Sequence, residues 1–332
     1  MPAGEFDLIA AINDRLPGDG DRIRVPSGDD AAVVEPGAAT AVSVDAIVDG
    51  VHFRLDDFGA RAVGRKALAA GLSDLAAMGA QPGEAYVVVA APAELEDDAL
   101  LGIADGLAAI ASRHAVTVAG GDLVSSPVLV VSVTAVGYEP PGARLITRAG
   151  ASPGDLLVVT GRLGGASGAL ALLAGNRGSL PPELGDAMLA RQLDPAPRLD
   201  EGLALGAEGA TAMIDISDGL GADAGHVAGA SGCRLEIDLG RIPLQEGLEE
   251  LAGGRGAALE LAATGGEDYE LLVTLPPKRL AAAKEAVERK GTELTEIGYV
   301  VGGGGVALKL PGGGEIQPRG FDQRRGSLSG SG

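Results

Sequence analysis

Apolar residues recur along the chain with two different spacings, and segments of the two kinds follow one another in both halves. In the first half, small and apolar residues at helical spacing predict helices over 60–78 and 97–113, and a valine-rich run predicts a strand over 86–90. The other elements predicted here are a helix over 6–16 and strands over 31–34, 40–44, 116–119 and 128–138. This succession predicts an α/β domain.

The segment Glu139-Pro140-Pro141-Gly142 interrupts the pattern and predicts a domain boundary. After it, strands are predicted over 156–160, 212–216, 234–238, 270–275, 297–301 and 306–310, and helices over 166–174, 183–192, 199–207 and 279–290 and from 218 onward. We therefore predict two α/β domains, over 1–140 and 141–322. The last residues, 323–332, are rich in Arg, Gly and Ser, which indicates a disordered tail.

Composition and charge narrow the classes of partner. The chain has 332 residues, and its formal net charge is -20 at pH 7, so nucleic acid and anionic membrane surfaces are not expected as partners. For the same reason a nucleotide triphosphate can bind only if cations lie between it and the protein. Cys233 is the only cysteine, which excludes an intramolecular disulfide, and no apolar run reaches the ~18–20 residues of a membrane span. We expect a cytoplasmic protein.

Short acidic clusters, most of them next to glycine, supply the candidate chemistry. They are Gly28-Asp29-Asp30, Ser43-Val44-Asp45, Leu72-Ser73-Asp74, Gly120-Gly121-Asp122, Asp215-Ile216-Ser217-Asp218-Gly219 and Gly265-Gly266-Glu267-Asp268. Carboxylates on loops that glycine lets approach closely are hard oxygen ligands for Mg²⁺, and magnesium implies phosphate. Taken singly, each cluster could also be a turn or a helix cap. Asp74 is harder to explain in that way, because a helix of small and apolar residues surrounds it.

The usual signatures of phosphate binding are missing. The sequence contains neither a G-x-x-x-x-G-K-[ST] loop nor the motif set of protein kinases, and its three histidines are too few for a histidine-rich zinc site. The segment Gly161-Arg162-Leu163-Gly164-Gly165 does not match the dinucleotide fingerprint and is interpreted as a tight turn. Carboxylate chemistry with magnesium therefore remains as the basis for phosphoryl transfer.

The clusters and several further motifs occur in the order seen in thiamine-monophosphate kinase, and the chain resembles that family. The motifs are Gly4-Glu5-Phe6, Gly28-Asp29-Asp30-Ala31-Ala32, Asp45, Gly50-Val51-His52-Phe53, the run 66–79, Gly120-Gly121-Asp122, Thr147-Arg148, the runs 215–220 and 265–271, and Gly320-Phe321-Asp322. The resemblance implies the two-domain α/β (α+β) fold of the group that resembles aminoimidazole ribonucleotide synthetase. In that fold the N-terminal strands pair with a second subunit in a homodimer.

The implied reaction moves the γ-phosphoryl group of ATP onto the phosphate of thiamine monophosphate. The resemblance implies Asp30, Asp45, Asp74, Asp122, Asp215 and Asp218 as magnesium ligands, with Ser43 and the Val44 backbone as weaker candidates. It also implies contacts to ATP from Gly121, Asp122, Arg148 and Ser217, and contacts to thiamine monophosphate from His52, Glu267 and Phe321. The acceptor is already an ionised phosphate, so no residue is expected to act as a general base.

Two details of the motifs and two alternative functions remain. Lys66 is predicted to lie on a helix surface, and Gly71 stands where the resemblance leads us to expect Asn. The first alternative is an ATP-dependent cyclase resembling aminoimidazole ribonucleotide synthetase, which the run 265–269 disfavours. The second is a magnesium–nucleotide-binding regulator without turnover. A homodimer is also indicated by the apolar strands predicted over 86–90 and 128–136, which a small domain does not easily cover alone.

Overall fold

A computed structural model describes residues 11–16, 20–25, 33–35, 39–176, 180–322 and 327–328. The chain divides into two compact units, one formed by Met1–Leu75 with Ala80–Pro141 and the other by Ala76–Gly79 with Gly142–Gly332. Residues 6–10 of the predicted first helix, residues 31–32 of the predicted first strand, and Asp30 lie outside the described residues. None of the described helices is long and apolar enough to cross a membrane.

The first unit is built on a four-stranded sheet with helices. Two short strands, β1 (Ile23–Val25) and β2 (Val33–Val34), pair with each other. The main sheet has the order β3-β6-β4-β5, and its strands are β3 (Thr40–Val48), β4 (Gln81–Ala91), β5 (Thr117–Ser125) and β6 (Val130–Tyr138). The helices are α1 (Leu55–Phe58), α2 (Ala60–Ala77) and α3 (Asp97–Arg113). Only β4 and β5 run parallel, because α3 connects them as a crossover.

Helices α2 and α3 approach each other at backbone distance. A Cβ atom added at Gly64 would lie 2.0 Å from the carbonyl oxygen of Ile103, and one added at Gly106 would lie 2.1 Å from that of Arg61. Glycine is therefore required at both positions. Lys66 is fully buried, with its Nζ atom 5.3 Å from the centre of the Phe58 ring of α1. The prediction that Lys66 lies on a helix surface is therefore wrong.

The second unit is built on a seven-stranded sheet of order β13-β12-β9-β11-β7-β10-β8, in which only β9 and β12 are parallel. Its strands are β7 (Leu156–Thr160), β8 (Ala212–Asp215), β9 (Arg234–Asp238), β10 (Leu271–Leu275), β11 (Leu294–Val301), β12 (Gly305–Lys309) and β13 (Glu315–Ile316). Its helices are α4 (Gly165–Leu173), α5 (Pro182–Leu193), α6 (Leu199–Ala207), α7 (Leu220–Ser231), α8 (Leu248–Ala252), α9 (Arg255–Thr264) and α10 (Leu280–Glu288).

The last strands are β14 (Phe321–Asp322) and β15 (Ser327–Leu328), which pair with each other. Of the tail predicted to be disordered, only β15 is described, and residues 323–326 and 329–332 lie outside the described part of the chain. Helices α8 and α9 were not predicted, because glycines and charged residues interrupt their apolar pattern. The prevalence of antiparallel pairs could not be read from the alternation of strands and helices, which favours parallel sheets.

Glu270, which is completely buried at the start of β10, ties several elements of the second unit together. Arg198 donates to both of its carboxylate oxygens, at 2.6 and 2.7 Å, and Arg191 at the end of α5 donates to Oε1 at 2.7 Å. The hydroxyl of Thr160 at the end of β7 completes the set at 2.7 Å. Burial by itself raises the pKa of Glu270, but the charges of Arg198 and Arg191 outweigh it and hold that pKa below its usual range.

We expect Glu270→Ala to lower the free energy of unfolding by about 3–5 kcal/mol, because it leaves two arginines without their buried counter-charge. The ion pair contributes above the carboxyl pKa of the unfolded chain and is lost as the pH falls through the depressed folded value, so the difference from wild type should narrow in acid. Urea titrations of the variant and the wild type at several pH values measure this difference in the free energy of unfolding.

Glu285→Ala is the matched control, since Glu285 pairs with Arg289 at 2.7 Å on an exposed helix face. This variant should lose at most about 0.5 kcal/mol of the free energy of unfolding. Equal losses in the two variants would contradict the assigned role of Glu270.

Candidate functional site

In the first unit, the structure brings three of the predicted metal ligands together. Ser43 and Asp45 lie two residues apart on β3, on the sheet face that α2 covers, and Asp74 projects from α2. The Ser43 hydroxyl donates to Asp74 Oδ2, and the carboxyl groups of Asp45 and Asp74 are hydrogen bonded to each other. Burial first, and then the charge and hydrogen bond of Asp74, raise the pKa of Asp45 to about 6.

This donor set fits a hard divalent cation. All its side-chain donors are oxygens, two of them belong to carboxylates, and the carboxylates adjoin in a part of the protein where like charges repel strongly. A cation between them would remove that repulsion. The Val44 side chain is 68% exposed and projects from the opposite face of β3, so only its backbone could take part.

Asp45 lies in the middle of β3 and Asp122 within β5, whereas the sequence predicted both to lie on loops. Asp122 is exposed and accepts the backbone N–H of Leu123 at 2.9 Å. Strand register pairs Asp122 with Val88, Val88 with Ser132, and Ser132 with Ala46. Because neighbours in register share a face, Asp122 lies on the face opposite to Asp45. Within the described residues of one chain, the structure does not bring Asp122 into the Asp45–Asp74 group.

His52 lies in the turn that follows β3. The Nδ1 atom of its ring accepts a hydrogen bond from the backbone N–H of Val48 at 3.1 Å. The backbone N–H of His52 donates to the Val48 carbonyl at 2.9 Å. An accepting Nδ1 leaves the ring proton of a neutral imidazole on Nε2. The turn thus fixes both the position of His52 and the nitrogen that can donate to a ligand.

In the second unit, Asp215 ends β8 and is buried, and Ser217 and Asp218 follow it before α7. The backbone N–H groups of Ser217, Asp218 and Gly219 all donate to one oxygen of Asp223, at 3.0–3.1 Å. These three backbone donors are therefore directed at a protein carboxylate. Asp223 was not predicted, although an acid in the first turn of a helix is a recognisable signal.

Asp223 belongs to a small group of acidic and imidazole side chains. Burial first, and then the charges of Asp215 and Asp218, raise its pKa to about 8. Ligand atoms of Asp218, Asp223 and His226 all lie within 4.8 Å of one another. The region around Asp215 and Asp218 is therefore rich enough in oxygen donors for a cation to bind.

The loop that carries Glu267 is locked against the segment that carries Ser217. The backbone N–H of Glu267 donates to the Ser217 carbonyl at 2.9 Å, and the backbone N–H of Tyr269 donates to the Ile216 carbonyl at 3.0 Å. Gly266 permits this approach, because a Cβ atom there would lie 2.2 Å from the Ser217 oxygen. Glu267 and Tyr269 have φ values of 65° and 52°, which non-glycine residues rarely adopt. Two sequence motifs that lie far apart in the chain thus form one rigid structure.

Asp268, the next residue of this loop, closes the turn before α4. Its carboxylate accepts the N–H groups of Gly164 at 2.6 Å and Ala166 at 3.1 Å, and burial raises its pKa to about 6 in spite of Arg191 and these donors. The backbone N–H groups at the start of α4 are therefore directed at a side chain of the protein itself.

Among the remaining predicted site residues, Arg148 and Phe321 have fewer described contacts. Arg148 is exposed, and its carbonyl oxygen accepts the hydroxyl of Ser231 at 3.1 Å. Phe321 lies in β14, and its side chain is outside the description. At Gly71, a Cβ atom would lie 3.4 Å from Ala135 Cβ, so an Asn there would point at the sheet.

Comparison with known proteins agrees with the two-unit architecture. Two family models match the chain: AIR synthase related protein, N-terminal domain, over residues 28–138, and AIR synthase related protein, C-terminal domain, over residues 152–311. The thiamine-monophosphate kinase of Salmonella typhimurium is 38% identical over 304 residues, which cover 90% of this chain and 91% of the relative.

Solved structures give the same result. The crystal structure of thiamine-monophosphate kinase from Stenotrophomonas maltophilia K279a is 38% identical with a TM-score of 0.82, over 92% of this chain and 96% of that chain. The structure of AaThiL complexed with AMPPCP and TMP is 31% identical with a TM-score of 0.75, over 96% of each chain.

The predicted two-domain α/β (α+β) fold of the aminoimidazole ribonucleotide synthetase group is thus confirmed. Relatives of the same length, with 38% identity over nine-tenths of the chain, share more than a fold. The chain belongs to the thiamine-monophosphate kinase family.

Proposed function

We propose that this chain is an ATP-dependent kinase that phosphorylates thiamine monophosphate to thiamine diphosphate and releases ADP. The observation that carries the proposal is the similarity over almost the whole chain to a protein complexed with AMPPCP and TMP. The buried carboxylates of Asp45 and Asp74 support it, because they supply the oxygen donors that a metal-assisted phosphoryl transfer needs. A chain with a single cysteine also fits the reducing environment of the cytoplasm.

We assign magnesium binding to six carboxylates of the motifs. They are Asp30, Asp45, Asp74, Asp122, Asp215 and Asp218, with the Ser43 hydroxyl and the Val44 carbonyl as additional donors. Bound Mg²⁺ neutralises the charge of the two anionic substrates and of the group in transfer. Ser43 contributes by its hydrogen bond to Asp74, which fixes the position of one carboxylate oxygen.

The other residues of the proposed site bind and orient the substrates. Gly121, Asp122, Arg148 and the Ser217 hydroxyl are assigned to ATP, and His52, Glu267 and Phe321 to thiamine monophosphate. Arg148 offers a planar donor group that suits phosphate oxygens. His52 presents Nε2 as a donor, since Nδ1 is occupied by the turn after β3. The phosphate acceptor is ionised at neutral pH, so direct in-line transfer needs no general base.

We further propose a homodimer through the face of the first sheet that lies opposite to α2. Val42, Val44, Val88 and Val124 lie on that face and are 61, 68, 41 and 41% exposed. Exposed valines on three strands of one sheet face indicate an interface, and a second copy of the chain would cover them. Asp122 lies on the same face, so a partner bound there would also approach this proposed ligand.

Incubation of the purified chain with ATP, Mg²⁺ and thiamine monophosphate should release one ADP for each thiamine diphosphate formed, as chromatography and a coupled ADP assay can measure. Omission of thiamine monophosphate should abolish ADP release. ADP release with the open-chain precursor of aminoimidazole ribonucleotide would indicate the cyclase instead. Stabilisation by ATP and magnesium without turnover would indicate a regulator.

Asp45→Asn should keep the fold but lose at least about 100-fold in turnover, because one charged ligand is removed. Without magnesium the variant should be as stable as wild type or more so, since a buried like-charged pair is gone. The rise in melting temperature that Mg²⁺ gives the wild type should be reduced.

The matched control is Asp98→Asn, which changes an exposed aspartate on α3 and should behave like wild type in both measurements. A wild-type response of Asp45→Asn to magnesium would show that the metal ligands lie elsewhere.

Val42→Glu should convert the homodimer into a monomer, because it places a charge in the proposed apolar interface. Sedimentation velocity at micromolar concentration measures the change. Leu170→Glu, at a 44% exposed residue of α4 in the second unit, is the matched control and should remain dimeric. A monomeric wild type, or an unchanged dimer in Val42→Glu, would be evidence against this interface.

A further inference from the structure

The last turn of α5 contacts the loop that carries Glu267 through a residue that the proposed function does not use. Gln192 is 1% exposed, and its Nε2 atom donates to Glu267 Oε2 at 2.8 Å. A neutral donor to a charged acceptor gives one of the stronger classes of hydrogen bond, and burial shields it from water. Gln192 therefore fixes the direction of one oxygen of the Glu267 carboxylate.

The backbone of Glu267 is fixed separately from its side chain. Its φ of 65° is maintained by the hydrogen bond from its N–H to the Ser217 carbonyl, at 2.9 Å. That bond determines where the Cα atom lies, but a glutamate side chain has three further torsions. The contact with Gln192 removes much of the torsional freedom of the Glu267 side chain. The residue that must be ordered for this contact is Gln192, which is itself already buried.

The three acids of the loop have different surroundings. Asp268 accepts two backbone N–H groups at the start of α4, and Glu270 is held by two arginines, so both are buried within the structure of the unit. Glu267 alone among them is partly exposed. The neighbouring Arg191 donates to the Asp268 carbonyl at 2.9 Å and to Glu270, and thus holds the frame of the loop. Gln192 contacts the carboxylate that can meet a substrate.

A glutamine also differs from an arginine in what it does to that carboxylate. It orients the oxygens without adding a positive charge beside them, so the attraction of Glu267 for a cation or an N–H donor is retained. Thiamine monophosphate offers both, as a thiazolium cation and an aminopyrimidine. We propose that Gln192 is a positioning residue that orients Glu267 towards the thiamine group of the substrate. This inference rests on the proposed function and adds a specificity determinant to its site.

The test compares Gln192→Leu, Gln192→Glu and Met188→Leu with wild type. Gln192→Leu keeps the volume but removes the donor, and it should raise the KM for thiamine monophosphate by about 3- to 30-fold. The KM for ATP should stay within about twofold of wild type, since the frame held by Arg191 is unchanged. Met188→Leu is the control for packing, because Met188 is a fully buried residue of the same helix with no side-chain contact to the loop among those described.

Gln192→Glu supplies a readout that a merely structural role would not produce. Two carboxyl groups at hydrogen-bond distance share one proton at low pH and repel each other once it is lost. The ratio of the variant's KM for thiamine monophosphate to that of wild type should therefore increase with pH. Taking the ratio cancels the ionisation of the substrate phosphate.

A lower melting temperature with unchanged KM values, or equal weakening of both substrates, would assign Gln192 to the structure alone and overturn the inference. If Gln192→Leu does not fold, the pH dependence of Gln192→Glu decides, and a flat ratio overturns it. If wild type does not phosphorylate thiamine monophosphate, the proposed function fails first and this inference with it. The wild-type assay thus distinguishes the two failures.

Discussion

The second unit depends on the burial of Glu270 between two arginines. A carboxylate without solvent is stable only where opposite charge and hydrogen bonds replace the lost hydration, and here Arg191, Arg198 and Thr160 do so. These partners belong to α5, the segment before α6, and β7, so one ionised group connects three parts of the unit to β10. The loop before β10, with its two residues at positive φ, inherits its position from that connection.

The buried acids of this protein fall into two kinds. Glu270 and Asp268 are compensated by groups of the same unit, namely arginines in the first case and backbone N–H groups in the second. Asp45 and Asp74 instead adjoin each other, so that the charge of Asp74 raises the pKa of Asp45. Asp223 has both features, because three backbone N–H groups donate to it while the charges of Asp215 and Asp218 raise its pKa. Acids that adjoin other acids are the ones whose repulsion a bound cation would relieve.

The glycines and the acids of the motifs act together. Gly266 allows the loop of Glu267 to touch the backbone of Ser217, and the resulting hydrogen bonds hold the proposed substrate and nucleotide residues at fixed separation. Gln192 then orients one side chain within that frame. Binding energy is used most effectively when groups are already oriented before the substrate arrives, because no ordering cost remains. The structure of the loop is consistent with such preorganisation.

The sequence by itself determined the elements with strong periodicity and the identity of the motif residues. The bounds of α3, β7, α6 and β9 agree with those predicted, because their apolar spacing persists over the whole element. The family and the two-domain fold also followed from the order of the acidic motifs. Glu267 and Ser217 could be named in the same way, although their contact could not.

Tertiary structure alone decided which residues meet. Asp45 and Asp122 appear equivalent in sequence, but strand register places them on opposite faces of one sheet. Lys66 is buried with its Nζ atom over the ring of Phe58, and the contact of Gln192 with Glu267 joins residues 75 positions apart. Local periodicity carries no information about such pairs, because they form only when separate elements pack and their side chains compete for the same space.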